Sequence, residues 1–277
     1  MTARFDAYSA TSTAAGHADF SDFLSSVLPM DSSWSTKRGN GFHTFGNRLS
    51  YRDHTGTEVA ALQWGGRQDS RVMIEVKGEY TPRAVEGLRT HFPHRCTRVD
   101  SCADFDAPRA FERLYKACRG VKKAHRIVGG KLGDWEDYPE RGRTLMLGAT
   151  TSATRARLYE KGLQPQYAHL NMPNWARLEI QVRPQKDEAK AEFSTLSPID
   201  VWGASRWTRD LAAAVLKEHV DPHPAGTTYR LSDRDRALSF MVRQYGSHLV
   251  SLAADLGGWA ELGLTLKEML SDPTNGG

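Results

Sequence analysis

Apolar positions recur at two different intervals along this chain of 277 residues, and the interval changes mark its organisation. Phe20, Phe23, Leu24, Val27 and Leu28 fall three and four apart, which predicts an amphipathic helix that Pro29 ends. Between Gly41 and Gly78, short apolar and aromatic pieces are separated by turn signals at Gly46-Asn47, His54-Thr55-Gly56 and Gly65-Gly66. Antiparallel strands are expected there near 42–51, 58–64 and 71–77. Pro82 suits the first turn of a helix reaching about His91, and Pro93 marks its exit.

Further along, the period drops to two. In 96–105, Arg98, Asp100, Cys102 and Asp104 share one face, with Val99, Ala103 and Phe105 opposite. A helix follows, with Asp106 as its cap, Pro108 in its first turn and Phe111, Leu114, Tyr115 and Cys118 as its apolar stripe. A strand at 144–148 leads to 155–161, where Arg155, Arg157, Tyr159 and Lys161 oppose Ala156 and Leu158. In 176–183, Arg177, Glu179, Gln181 and Arg183 oppose Ala176, Leu178, Ile180 and Val182. Neighbouring strands of this kind must align their apolar faces under the same helices. The expected class is α+β: an open, largely antiparallel sheet with helices on one face and a polar face on the other. From Ser197 onward the pattern is helical, interrupted by Asp221 to Pro224 and by Gly257-Gly258. The Ser-, Thr- and Ala-rich start, 1–16, reads as a flexible terminus, 17–196 as the main domain and 197–277 as a C-terminal helical region.

Composition narrows the class. The 39% apolar and 25% charged shares are those of an ordinary globular protein, and no apolar run approaches the ~20 residues of a membrane span. The start lacks the basic and apolar pattern of a secretory signal, so a cytoplasmic location and no membrane partner are expected. Cys96, Cys102 and Cys118 form no C-x-x-C pair and read as small buried hydrophobes in a reducing compartment. The net charge of +4 is modest, but 141–167 alone carries that much, with Arg141, Arg143, Arg155, Arg157 and Lys161 against Glu160. Such a segment fits a groove that tracks phosphates, and equally a solvated face. Arg143, Arg155, Arg157 and Arg183 are the candidate DNA contacts.

Two carboxylates on neighbouring strands, Asp100 and Glu179, suit a hard divalent cation such as Mg2+ or Mn2+. Arg98 and Arg177 precede them by two positions, to hold a phosphate beside the cation or to neutralise the acids. A cross-strand lattice of ion pairs is the structural alternative. Tyr159, flanked by Arg157 and Lys161, sits in positive charge that favours the phenolate; it reads as a nucleophile or as a stacking platform for bases.

Four segments in order resemble the Rep_trans replication initiation family: Thr97-Arg98-Val99-Asp100-Ser101-Cys102-Ala103-Asp104, Gly148-Ala149-Thr150-Thr151-Ser152, Arg157-Leu158-Tyr159-Glu160-Lys161 and Arg177-Leu178-Glu179. They are similar to that family's Arg-x-Asp strand, Gly-Ser-x-x-Ser turn, Tyr-Asp-Lys strand and Arg-x-Glu strand, over roughly residues 40–185. Two departures are the turn residues and Glu160 in place of aspartate. The helical end, with Arg243-Gln244-Tyr245-Gly246, looks more like the phage-type members. The resemblance implies a rolling-circle initiator that nicks and rejoins one strand at an origin through a 5′-phosphotyrosine. It places the nucleophile at Tyr159, catalytic support at Lys161, Arg98 and Arg177, and metal ligands at Asp100 and Glu179. Glu75, on a strand similar to the family's, is the third candidate ligand, ahead of Asp104. Implied partners are single-stranded or melted origin DNA, a host helicase and polymerase, and room for a homodimer. Alternatives are a relaxase of a conjugative element and a catalytically silent DNA-binding regulator. No His-hydrophobic-His strand is present, which separates the chain from the other large class of initiators.

Overall fold

The computed structural model describes residues 2–226 and 233–271, with ten strands and seven α-helices among them. In chain order these are β1 (Arg4–Ser12), α1 (His17–Val27), β2 (Ser35–Asn40), β3 (Asn47–Arg52), β4 (Glu58–Gly65), β5 (Gln68–Lys77), α2 (Thr81–His91), β6 (Arg95–Asp106) and α3 (Ala110–Ala124). They continue with β7 (Gly129–Leu132), β8 (Thr144–Leu147), β9 (Thr154–Glu160), β10 (Trp175–Val182), α4 (Asp187–Phe193), α5 (Arg206–Val215), α6 (Asp233–Asp255) and α7 (Trp259–Ser271). The strands form one antiparallel sheet in the order β2-β3-β4-β5-β1-β6-β10-β9-β8-β7. The class is the expected one, α+β with an open antiparallel sheet.

The period-two segments decide which face is dry. Val99, Ala103 and Phe105 of β6, Ala156 and Leu158 of β9, and Leu178, Ile180 and Val182 of β10 join one core with the helical stripes. Those stripes are Phe20, Phe23 and Leu24 of α1, Ala84, Val85 and Leu88 of α2, and Phe111, Leu114 and Cys118 of α3. Each fully buried leucine or phenylalanine contributes roughly 1.5–3 kcal/mol, so the helices are held by this face rather than by their own propensity. All three cysteines are free and buried.

Several expectations need correction. Residues 4–12, read as part of a flexible terminus, are an inner strand between β5 and β6. Two register shifts, at Phe5/Ala7 and Ser9/Ala10, break the alternation that would have revealed it. The edge strands β2 and β7 also went unread; every residue in them is exposed, so no apolar pattern exists. Arg109, in the left-handed region, precedes α3, which starts later than Asp106 suggested. Residues 200–216, read with the C-terminal helical region, belong to the first of two compact units. Trp202 is buried there, its Nε1 donating to Ser101 Oγ at 3.0 Å, and Leu211 and Ala212 of α5 join the core. The second unit holds α6 and α7, where Arg243-Gln244-Tyr245-Gly246 lies in α6. Among the described residues no single helix is long and apolar enough to cross a membrane; α6 and α7 together are, but they are bent by 109°.

Candidate functional site

Register fixes which polar side chains meet on the other face. Tyr159 on β9 opposes Arg177 on β10, which opposes Asp104 on β6. One step along, Arg157 opposes Glu179 and then Cys102; one further, Arg155 opposes Gln181 and then Asp100. Asp100 and Glu179 are therefore diagonal neighbours, within reach of each other's charge.

Each carboxylate has its own guanidinium. Arg98 clasps Asp100 through Nε at 2.8 Å and through Nη2, and Gln181 Nε2 adds a bond to Oδ2 at 3.2 Å. Arg157 Nη2 donates to Glu179 Oε2 at 2.8 Å. Arg177, 1% exposed, binds Asp104 twice at 2.7 Å and Asp6 at 2.6 Å, and Trp175 Nε1 also donates to Asp104 at 2.7 Å. Burial pushes Asp104 up, but Arg177, with Arg4 and Trp175, more than offsets it and holds the carboxyl below its usual range. The ion-pair lattice considered as the alternative is present, and it is not ordinary surface pairing, since Asp100 and Glu179 are 2% and 4% exposed.

Tyr159 is 5% exposed and carries the Arg157 guanidinium 4.7 Å above its ring. A covered ring has no free face for a base, so the stacking-platform reading fails. Among the described residues nothing hydrogen-bonds its hydroxyl. Burial, then the Glu179 charge, pushes the phenol well above its ordinary range, against the pull of Arg177 and Arg157. The expected phenolate-favouring environment is thus reversed in the resting protein, because desolvation and a carboxylate outweigh two arginines.

Glu179 is pushed up to about 7, first by burial and then by the Asp100 charge, with Arg157 pulling the other way. The unfolded chain releases this proton near the ordinary value of 4.5, so stability contributed by protonated Glu179 is complete below that pH and lost as pH rises through about 7. With divalent cations chelated, Glu179→Gln should flatten this decline. Urea midpoints between about pH 4.5 and pH 8 measure it, and an unchanged slope in the variant would place the titration elsewhere.

Two buried like charges side by side fit a hard cation, which commonly uses one or two carboxylates and keeps waters. Beside them Arg98, Arg155, Arg157, Glu179 and Gln181 line a recess of about 110 Å3. That space admits a few waters, a hydrated cation or a phosphate group. Glu75 does not join. It lies two strands from β6, its carboxylate taken by Arg48 at 2.8 Å and Gln63 at 3.2 Å, and among the described residues no three His, Cys, Asp or Glu converge. Asp104, the other candidate, is locked in the Arg177 network.

Other expected residues part company. The chain turns at Lys161, leaving the strand, so its ammonium sits 4.5 Å from the Tyr167 ring and 5.1 Å from that of Trp175. Burial, helped by the Arg177 charge, lowers it to about 8. Arg143 points to the helical side, bonded to Glu160 at 2.6 Å and Glu112 at 2.7 Å and stacked 4.4 Å over Phe111; it is a structural clamp rather than a DNA contact. Arg155 and Arg183 stay on the polar face and form no ion pair among the described residues. Arg155 Nε is buried without a partner, and Arg183 is lowered by burial and by the Arg98 and Arg155 charges. Sequence reasoning missed Asp6 and Trp175, which complete the Arg177 network; Asp6 lay in the unread strand.

The fold and site together define an antiparallel α+β sheet whose polar face buries a tyrosine in a lattice of arginines and carboxylates. No family model matches this chain, and no curated protein matches it. Among solved structures, the rolling circle replication initiator protein from Geobacillus stearothermophilus is similar, with a TM-score of 0.48 and 15% identity, over 80% of this chain and 99% of that one. The likeness is distant, and the roles of individual residues rest on the geometry above.

Proposed function

We propose that this protein nicks and rejoins one strand of origin DNA in rolling-circle replication, with Tyr159 as nucleophile. The observation that carries this reading is the setting of Tyr159, between Arg157 and Arg177 and diagonal to Glu179, which is in turn diagonal to Asp100. Attack by the phenol oxygen on a phosphodiester forms the tyrosine–phosphate bond and breaks the bond to the 3′ oxygen, which leaves as a hydroxyl. The 5′-phosphotyrosine conserves the ester, so the reverse attack rejoins the strand without a nucleotide cofactor. Arg98 and Arg157 border the recess and would face the non-bridging oxygens, and unpaired Arg155 and Arg183 would hold flanking phosphates. Arg177, closed in by Asp104 and Asp6, positions rather than contacts. Neutralising Glu179 removes the carboxylate charge that, after burial, does most to keep the proton on the phenol. A divalent cation held by Glu179 and Asp100 would supply that neutralisation and polarise the phosphoryl oxygens. Host helicase and polymerase are the partners this role calls for.

The test uses single-stranded oligonucleotides spanning a candidate origin, with Mn2+. A covalent adduct mapped to Tyr159 and abolished by a chelator is expected. Asp100→Ala and Glu179→Ala should each lose metal-dependent cleavage but keep metal-free DNA binding, whereas Glu75→Ala should cleave normally. DNA binding with no adduct under any metal would make the protein a silent binder.

A further inference from the structure

A second concentration of charge lies on the helical side of the sheet, remote from the tyrosine. Residues 109–131 hold eight lysines and arginines against one acid, Glu112, so this segment carries +7 where the whole chain carries +4. Glu112 is itself bound to Arg143. In α3 the apolar stripe of Ala110, Phe111, Leu114, Cys118 and Val121 faces the core. Arg113, Lys116, Arg119 and Lys123, spaced three and four apart, are exposed on the opposite side. Lys116, Arg119, Lys122, Lys123 and Arg126 line an open groove with no acid on its walls, and among the described residues none of the five forms an ion pair. Like charges at these spacings repel and cost the helix stability. Among the described residues no ion pair offsets that cost.

Gly120 adds an independent observation. It sits among these cations on the exposed side of α3, and a Cβ there would meet nothing within 4 Å. A glycine inside a helix is unfavourable, and no described neighbour requires it; close approach of another molecule's backbone would.

We propose that this face of α3, with the turn at 125–127, binds the sugar-phosphate backbone of duplex DNA. A polyanion of high charge density matches five unpaired cations in one groove, and a duplex carries a charge every ~1.7 Å along its axis. Single strands fit less well, because they are held largely by stacking on open rings. The one aromatic lining the groove, Tyr115, packs against Phe111 and Trp135 with Arg119 and Lys131 over it. The protein would then hold duplex on its helical side while the polar sheet face holds the melted strand. Duplex binding here is independent of whether Tyr159 is a nucleophile, and is measured without cleavage.

The full chain carrying Lys116→Glu, Arg119→Glu and Lys123→Glu is titrated against a short fluorescein-labelled duplex over a range of salt. The Gln triple variant serves as a charge-neutral control that adds no new repulsion. Duplex affinity should fall more than about tenfold, and the slope of log affinity on log salt should shrink by about 2.7, at ~0.9 per lost phosphate contact. Binding to a single-stranded oligonucleotide should be nearly unchanged. Unchanged duplex affinity and slope in both variants would overturn the proposal, as would an equal loss on single strands. Loss of binding to phosphatidylserine vesicles with duplex binding intact would also overturn it, and would make the surface a lipid contact.

Discussion

Replacing Tyr159 with phenylalanine should leave the protein folded and abolish covalent attachment to DNA. The ring stays where it is, packed under Arg157 in a site only 5% exposed. The hydroxyl that is lost has no hydrogen-bond partner among the described residues, so stability should change by no more than about 0.5 kcal/mol. The chemistry has no substitute, because a phenyl ring offers no oxygen to the phosphorus. Adduct formation should therefore fall to background, rather than by the partial factor that loss of a positioning residue gives. The measurement is the protein–DNA species surviving denaturing electrophoresis, with the thermal midpoint as control. Tyr167, near Lys161, is the tyrosine to watch: an undiminished adduct mapped there would move the nucleophile into the neighbouring cleft.

Arg177→Ala should be among the most damaging single changes to stability, costing about 3–5 kcal/mol. Its guanidinium is 1% exposed and reaches Asp104 at 2.7 Å and Asp6 at 2.6 Å, so its removal takes the cation from Asp6 and leaves Asp104 with only surface Arg4 and the Trp175 N–H. Arg4 binds the same Asp104 at 2.9 Å but lies at the surface. Arg4→Ala should therefore cost no more than about 1 kcal/mol. Urea unfolding of the two variants with unchanged m values measures the contrast. Equal, small losses would mean that water reaches Asp104 and Asp6 when the arginine goes, and that the network is not the buried unit described.

The face of the sheet was legible because the strands that carry it alternate without interruption. Arg98, Asp100 and Asp104 against Val99, Ala103 and Phe105 leave one arrangement that buries the apolar set, and Glu179 and Tyr159 follow from the same rule on adjoining strands. Where the rule breaks, the reading broke. Lys161 has the parity of Tyr159, but the chain turns at that residue and carries its ammonium to another cleft. Arg143 was counted as positive charge without regard to side, and the partner that neutralises it, Glu160, has the parity of the apolar face. Glu75 does lie on the polar face, but only the sheet order shows that β1 stands between its strand and β6, and that its carboxylate goes to Arg48. The α3 cations needed no structure to find: a charge count over 109–131 exceeds the one over 141–167.

The placement of β1 has a consequence for how the chain is made. This strand leaves the ribosome before either of its partners, which lie far downstream in 68–77 and 95–106. At synthesis rates of about 5–20 residues per second, its two edges stay unpaired for several seconds or more. Long-range pairings of this kind are also slow to form once the partners arrive. The nascent sheet can assemble its β3–β4–β5 meander early, but it cannot join its two halves until β6 has emerged, so a stalled chain ending before residue 95 is half a sheet with a sticky rim.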